Sequence, residues 1–461
     1  MAAAATRVRA AGDPVGTAGG PADGAPGGAA GGAAGAVVPR PAPGRGALGP
    51  VRLQQLVLLE VAAALVLVAW VVDRLLVAPA AVVAALLVVL AVLRPGRRPV
   101  TEWLASRQAL RRRAVRAAAE PPAPGTDPRL APAVECEPAL RTVSFDVPAP
   151  LAGPGSDDEL RSVGLVGDGT FLTAVIRVDA VDRPLRPGRG ERALPLGLLR
   201  DALDVDGIRL ESAQVVQSTL PAPAPHLSGQ GLAARNYAPL HAVTASPAVR
   251  QTWVALKFDP ELCPEAVEAR GGGVRGARRC VLRVADQVAS RLRGAGFRAV
   301  LLTEDELTAA LATAACLNPA ATEQAGRTGA PARRTAETAR AWRCDDRWHT
   351  TYWVSRWPRL GTGTGAGGGA VALPELAALL TTLPALSTTL SLTLGRGRTV
   401  AGRHAPTLTG HIRICGRSAD EVHELGRALE RAARGAKAGL TRLDHDQVPG
   451  VLATLPLGGT R

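Results

Sequence analysis

Chemistry is densest between residues 342 and 357, which read WRCDDRWHTTYWVSRW. Cys344, Asp345, Asp346 and His349 fall within six residues, beside four of the chain's seven tryptophans. Paired carboxylates can hold a divalent cation, and a neighbouring histidine can move a proton. On that chemistry Asp345, Asp346 and His349 would serve a membrane-anchored, metal-dependent transferase. The same stretch also reads as a structural strand. Trp348, Tyr352, Trp353 and Trp357 suit a core or an interface, and aromatics with arginine dominate interface hot spots. No second constellation supports catalysis, so the core or interface reading is preferred.

The remaining motifs exclude more than they propose. Gly363-x-Gly365-x-x-Gly368 stands after a predicted strand and before a helix, where a dinucleotide fingerprint would lie. The next strand, 388–394, lacks the acidic residue that should meet the ribose, and 51 glycines make chance matches common. The tract 361–369 therefore reads as a flexible loop. The chain has two lysines; Lys257 precedes Phe258 and Lys437 precedes Ala438, so no P-loop is present. His423-Glu424 lacks the second histidine of a zincin, and no G-x-S-x-G elbow occurs. Asp444-His445-Asp446 reads as a turn with solvated charges rather than a metal site. No catalytic, cofactor-binding or metal-ligating residue is predicted.

The elements that would carry these residues begin near residue 140. Strands are predicted at 171–178, 208–220, 250–258, 297–302, 347–357, 388–394 and 407–415, from β-branched richness and alternation. Helices are predicted at 194–203, 264–294 (broken at Gly271–Gly273), 304–317, 373–383 and from Ser418 to Ala438. Thr303 with Glu306 and Ser418 with Glu421 form capping boxes, and residues 318–340 look polar and loop-like. Alternating helices and strands predict an α/β domain over 139–456 with a mixed sheet and flanking helices. Strands 388–394 and 407–415, joined without a helix, should pair antiparallel.

Ahead of the domain lies an apolar stretch. Residues 53–72 are apolar except Gln54, Gln55 and Glu60; Asp73-Arg74 interrupts, and 75–93 has no charge. Each run suits the roughly 20 helical residues that cross a bilayer, predicting a transmembrane hairpin over 53–93 with a kink at Pro79. Glu60 would sit near the headgroups or face a partner helix. Arginines on both flanks place both termini in the cytoplasm of a cell-membrane protein. Residues 1–50, rich in Ala, Gly and Pro, predict a disordered cytoplasmic tail. Residues 94–138 predict a basic juxtamembrane helix, 101–119, and a Pro-rich linker. That helix carries Trp103, Arg107 and Arg111 and should lie along the membrane surface or run into a partner.

Composition narrows the partners. The formal charge of +14 comes almost wholly from arginine, and aromatics are 3% of the 461 residues. Scattered arginines with so few rings do not make a nucleic-acid platform. Beside an apolar hairpin, basic charge points to lipid headgroups or acidic protein surfaces. Six cysteines without a CxxC pair read as reduced thiols.

In this order (unstructured start, two-span hairpin, cytoplasmic α/β domain) the chain resembles the EccE family of actinobacterial type VII (ESX) secretion systems. TWVALKFDPELCPEAVEARGGG from Thr252, the TEDEL stretch to Leu307, and RRTAETARAWRCDDRWHTTYWVSRWP from Arg333 carry the resemblance. It implies a non-catalytic membrane subunit packed with EccB, EccC and EccD at the outside of an inner-membrane assembly, with EccC supplying the ATPase. The family offers no catalytic residues to carry over. Trp103, Arg107, Arg111, Trp348, Trp353 and Trp357 are the predicted interface residues.

Overall fold

The computed structural model describes residues 47–48, 51–92, 100–120, 125–148, 160–180, 193–221, 232, 235–236, 249–328, 332–361, 371–397, 399–400, 403–404 and 406–459. The glycine tract after residue 361, and all but two residues of the predicted tail before residue 50, lie outside them.

Two apolar helices come first, α1 (Leu53–Val72) and α2 (Val77–Val92). Between them Asp73 accepts the Leu75 N–H at 3.0 Å and caps the short turn Arg74–Leu76. Small residues, Ala62, Ala69 and Ala84, are buried in the hairpin, while Leu67, Trp70, Val71, Val82 and Leu86 are left exposed. Pro79 lies in the first turn of α2, directly after the Arg74–Leu76 turn. Glu60 is exposed. Among the described residues no helix is long and apolar enough to cross a membrane. Helix α2 has 16 residues.

Helix α3 (Val100–Ala119) and the short α4 (Ala131–Cys136) follow. Leu130 and Ala133, in the stretch read as a linker, are buried beneath the domain. The domain then opens with β1 (Arg141–Pro148), β2 (Leu160–Gly167) and β3 (Leu172–Ala180). Next come α5 (Leu196–Asp201), β4 (Ser212–Leu220), β5 (Val249–Phe258) and α6 (Pro264–Glu268). They are followed by α7 (Gly273–Gly294), β6 (Phe297–Leu301) and α8 (Glu304–Ala314). Gly271, Gly272 and Gly273 all have positive φ, 103°, 67° and 53°, which breaks the predicted long helix into α6 and α7. The Thr303–Glu306 capping box is present at α8.

A second set repeats the plan. After α9 (Pro319–Thr328) come β7 (Thr335–Glu337), β8 (Trp342–Cys344) and β9 (Arg347–Arg356). Then α10 (Leu373–Thr381), β10 (Ser387–Gly395), β11 (Thr407–Gly416) and α11 (Ala419–Gly435) lead to β12 (Gly439–Arg442) and α12 (Gln447–Thr454). Residues 318–340, read as a loop, thus hold α9 and β7. Ser418 caps α11, but Glu421 accepts from the Arg417 N–H rather than that of Ser418, so only half of the second capping box forms.

All twelve strands form one sheet, in the order β7-β8-β9-β11-β10-β4-β5-β3-β2-β1, with β6 also beside β3 and β12 also beside β9. Within each half the chain runs β-α-β-β-α-β with strand order β6-β3-β5-β4 or β12-β9-β11-β10, the ferredoxin-like arrangement. The halves join edge to edge where β4 pairs with β10, from Ser212↔Gly395 to Thr219↔Thr388. Every pairing in this sheet is antiparallel, which corrects the expected mixed sheet. The helical crossovers do connect parallel strands, but each time another strand is inserted between them: β5 separates β3 from β4, and β11 separates β9 from β10.

Helices cover both sides of the sheet. On one side α5, α7, α10 and α11 seal a continuous core that includes Ile176, Leu256, Val284, Leu292, Ile412 and Leu429. On the other, α4, α8 and α12 cover Val175, Trp253, Ala255 and Trp342. In α11 the apolar face is Val422, Leu425, Leu429 and Ala433, a spacing of three and four residues that keeps one stripe against the strands.

Candidate functional site

The basic helix does not run free of the domain. One face of α3, at helical spacing, carries Trp103, Ser106, Arg113 and Ala117, and each meets the corner formed by β7 and the loop before α12. Trp103 packs edge-on against His445, ring centroids 5.8 Å apart at 88°. Ser106 Oγ donates to Asp446 Oδ2 at 2.7 Å. Arg113 grips Glu337 with two bonds, Nε to Oε2 at 2.8 Å and Nη2 to Oε1 at 3.0 Å, and also donates to the His445 carbonyl at 2.6 Å. Arg333 donates to the carbonyl of Ala117 at 3.0 Å.

Glu337 is the centre of this seat. Its side chain keeps 8% of its surface exposed, and besides Arg113 it accepts the Val448 N–H at 2.9 Å near the start of α12. One carboxylate therefore fixes α3 and α12 together. Bidentate geometry and partial burial make this pair stronger than a surface ion pair, and losing one partner would cost about 1–3 kcal/mol. His445 holds a left-handed φ of 66°, presenting its ring to Trp103 while its N–H bonds the Ala339 carbonyl at 2.7 Å. Asp444 pairs with Arg442 at 2.5 Å. The 444–446 segment, expected as a solvated turn, is instead the floor of the seat.

The corner is braced from behind. Glu135 of α4 accepts the N–H groups of Arg334 and Thr335 and the Thr335 hydroxyl. Arg334 forms a two-pronged pair with Asp345 at 2.9 and 2.7 Å, holding its own charge more firmly through that carboxylate. It also donates to the Pro128 carbonyl and to Thr322 Oγ1.

These bonds weigh against the transferase reading. Asp345 is committed to Arg334, and Asp346 accepts from Asn318 Nδ2 at 3.0 Å. His349 is completely buried, its ring 4.9 Å from that of Trp342, and burial with Arg413 and Arg347 nearby holds it well below its usual pKa. The three groups do not converge, and no cluster of metal-ligating side chains occurs among the described residues.

The predicted interface residues scatter. Trp103 and Arg107 come together, the guanidinium 5.4 Å from the ring, and Arg107 and Arg111 are exposed. Trp348 and Trp353, five residues apart on β9, point to opposite sides of the sheet. Arg343 covers Trp348 at 5.8 Å. Trp357 packs into the larger core, so close to Gly410 that a Cβ there would lie 2.8 Å from its ring. Sequence reasoning missed Ser106, Arg113, Glu337, His445 and Asp446. Only the 103–106–113–117 spacing on α3 hinted that one face of that basic helix was spoken for.

The described residues thus form an apolar hairpin and a two-repeat α/β domain into which α3 is keyed. Residues 246–354 match the family model EccE, "Putative type VII ESX secretion system translocon, EccE", which bears out the resemblance read from the sequence and points to a component of type VII secretion. The matched stretch runs from β5 of the first repeat through β7 and β8 into β9 of the second, and includes Glu337. No curated protein matches the chain.

Proposed function

We propose that this chain is a non-catalytic structural subunit of a type VII secretion assembly, anchored in the cell membrane by α1 and α2 and positioned by α3. The observation that carries this reading is the Arg113–Glu337 seat, which couples the helix after the hairpin to the domain. The apolar runs 53–72 and 75–93, each close to the roughly 20 residues that cross a bilayer, support the anchor. Leu67, Trp70 and Val71 of α1 and Val82 and Leu86 of α2 are exposed, an apolar surface of the kind that marks contact with lipid or protein. Arginines before and after the hairpin favour cytoplasmic placement of both flanks. Arg107 and Arg111 on the open face of α3, with half-buried Trp348 and Trp353, are the surfaces offered to the neighbouring subunits, homologues of EccB, EccC and EccD.

A mild-detergent pull-down of the tagged chain from its native membrane tests this. Recovery of those homologues, reduced by Trp353→Ala or by Arg107→Glu with Arg111→Glu, is expected. Purification of the chain alone, from membranes that contain the partners, would reject the subunit reading.

A further inference from the structure

The most unusual chemistry in the molecule lies beneath the second repeat. Arg413, on β11, is 1% exposed and donates one hydrogen bond, to the Ala314 carbonyl at the end of α8. Its Nη1 has no partner, and among the described residues no carboxylate pairs with it. A buried guanidinium needs an anion, because removing a bare charge from water costs several kcal/mol. The ionisable groups around it are thiols. Cys316 follows α8 in a left-handed conformation, φ 54°, uncommon for a residue with a Cβ. Arg347 Nη1 lies 3.1 Å from its sulfur, and Cys415, two residues from Arg413 on the same face of β11, interacts with it. On the other side of Cys415 stands His349, its Nε2 3.8 Å from the Cys415 sulfur and its Nδ1 buried without a partner.

We propose that Cys316 and Cys415 are a peroxide-responsive thiol pair, with Cys316 the attacking sulfur and Cys415 the resolving one. The Cys415 thiol, then the charges of Arg347 and Arg413, lower the pKa of the Cys316 thiol against the effect of burial, and the Arg347 guanidinium at its sulfur favours the thiolate. Burial, and the neighbouring Cys316, push the Cys415 thiol well up, so it stays protonated. Cys316 is also the more exposed of the two, 8% against 2%. The thiolate attacks one peroxide oxygen: an S–O bond forms, the O–O bond breaks, and hydroxide takes up a proton to leave as water. The Cys415 thiol keeps its proton until the S–S bond forms. The Cys415 sulfur attacks the sulfenic sulfur, the S–S bond forms, the S–O bond breaks, and the departing hydroxide takes that proton. Counted from two thiols and one peroxide, the products are one disulfide and two waters. The bridge would tie the end of α8 in the first repeat to β11 in the second, making the joint between the repeats redox-dependent.

The test is non-reducing peptide mapping of the full chain in mild detergent, with and without hydrogen peroxide. A Cys316–Cys415 linked peptide that dithiothreitol reverses is expected. Cys415→Ser should stop the reaction at a sulfenic acid on Cys316, trapped by dimedone. Arg413→Met and, separately, Arg347→Gln should slow Cys316 oxidation about tenfold by withdrawing thiolate, while the spectrum of the fold is unchanged. Oxidation spread evenly over the six cysteines, or a bridge to any other partner, would overturn the proposal.

Discussion

The two repeats share a strand order and part company in how they bury a cation. In the first, Lys257 on β5 is 5% exposed, and its ammonium lies 3.4 Å from Glu211 and 4.2 Å from the Phe171 ring. In the second, Arg413 on the corresponding strand β11 has a carbonyl and two thiols for company. The surroundings differ in the same sense. Beneath the first repeat β3, β4 and β5 set Thr173, Gln214 and Lys257 among Val175, Val216, Trp253 and Ala255, and each of those three polar groups has a partner. Beneath the second, β9, β10 and β11 present His349, Thr351, Thr389, Ser391 and Arg413. A polar floor is costly unless satisfied, and Thr351 Oγ1, His349 Nδ1 and Arg413 Nη1 are left unpartnered. The first repeat is built for stability. The second retains groups whose burial costs stability, the usual mark of residues kept for chemistry or switching.

The largest expected effect tests the first repeat's tight helix packing. A Cβ on Gly276 of α7 would overlap the backbone carbonyl of Val267, which cannot yield without moving α6. Gly276→Ala should therefore cost about 3 kcal/mol in urea unfolding, the upper end of overpacking. In the second repeat, a Cβ on Gly426 of α11 would press on the ring tip of the buried Tyr352, a side chain rather than a backbone group. Gly426→Ala should cost less, about 1–2 kcal/mol, because alanine's better helix propensity offsets part of the strain. Equal losses would contradict the difference in packing.

Acid should act on the second repeat first. Burial lowers the pKa of His411 to about 4 and takes that of His349 well below its usual value, His349 with help from Arg413 and Arg347. Both folded-state values lie below the unfolded value near 6.5. Above that pH the histidines cost nothing. As pH falls below it, the unfolded chain takes up protons that the folded chain refuses, and stability drops by about 1.4 kcal/mol per unit for each histidine, down to its folded pKa. Urea midpoints at pH 7 and pH 5 should show the fall. His349→Gln with His411→Gln should flatten it, and an unchanged slope in that variant would place the acid sensitivity elsewhere.

Much of this was legible in the sequence, and what was missed has physical causes. The strands that hold β-branched runs, β3, β5, β9, β10 and β11, announce themselves, as does the Thr303–Glu306 box. The break at Gly271–Gly273 is visible because glycine alone enters positive φ freely. The duplication was invisible because the repeats share pairing rather than residues: Ala255 and Arg413 lie on corresponding strands with nothing in common. The short elements β7, β8, β12 and α12 are set by their neighbours, with too few residues each for a period to show. The α3 seat was hidden by Arg111–Arg113, in which three identical residues have two fates: Arg111 and Arg112 face outward and Arg113 finds Glu337. No local rule could pair residues 224 positions apart.

The smallest predicted effects return to the two cations. Lys257→Met keeps the length of the side chain and its contact with Phe171, but leaves Glu211 without its ammonium. Glu211 is 19% exposed, so water recovers part of the loss, and a cost of about 1 kcal/mol is expected. Arg413→Met removes a buried charge that no carboxylate balances. Replacing a buried ion with an apolar side chain of similar volume is often neutral or stabilising, and the lost bond to the Ala314 carbonyl offsets some of that gain. The two effects should therefore have different signs or differ by about 1 kcal/mol or more, read from urea midpoints under reducing conditions. If Arg413→Met proved the more damaging of the two, Arg413 would have to balance a buried anion that cannot take up a proton as Cys316 can.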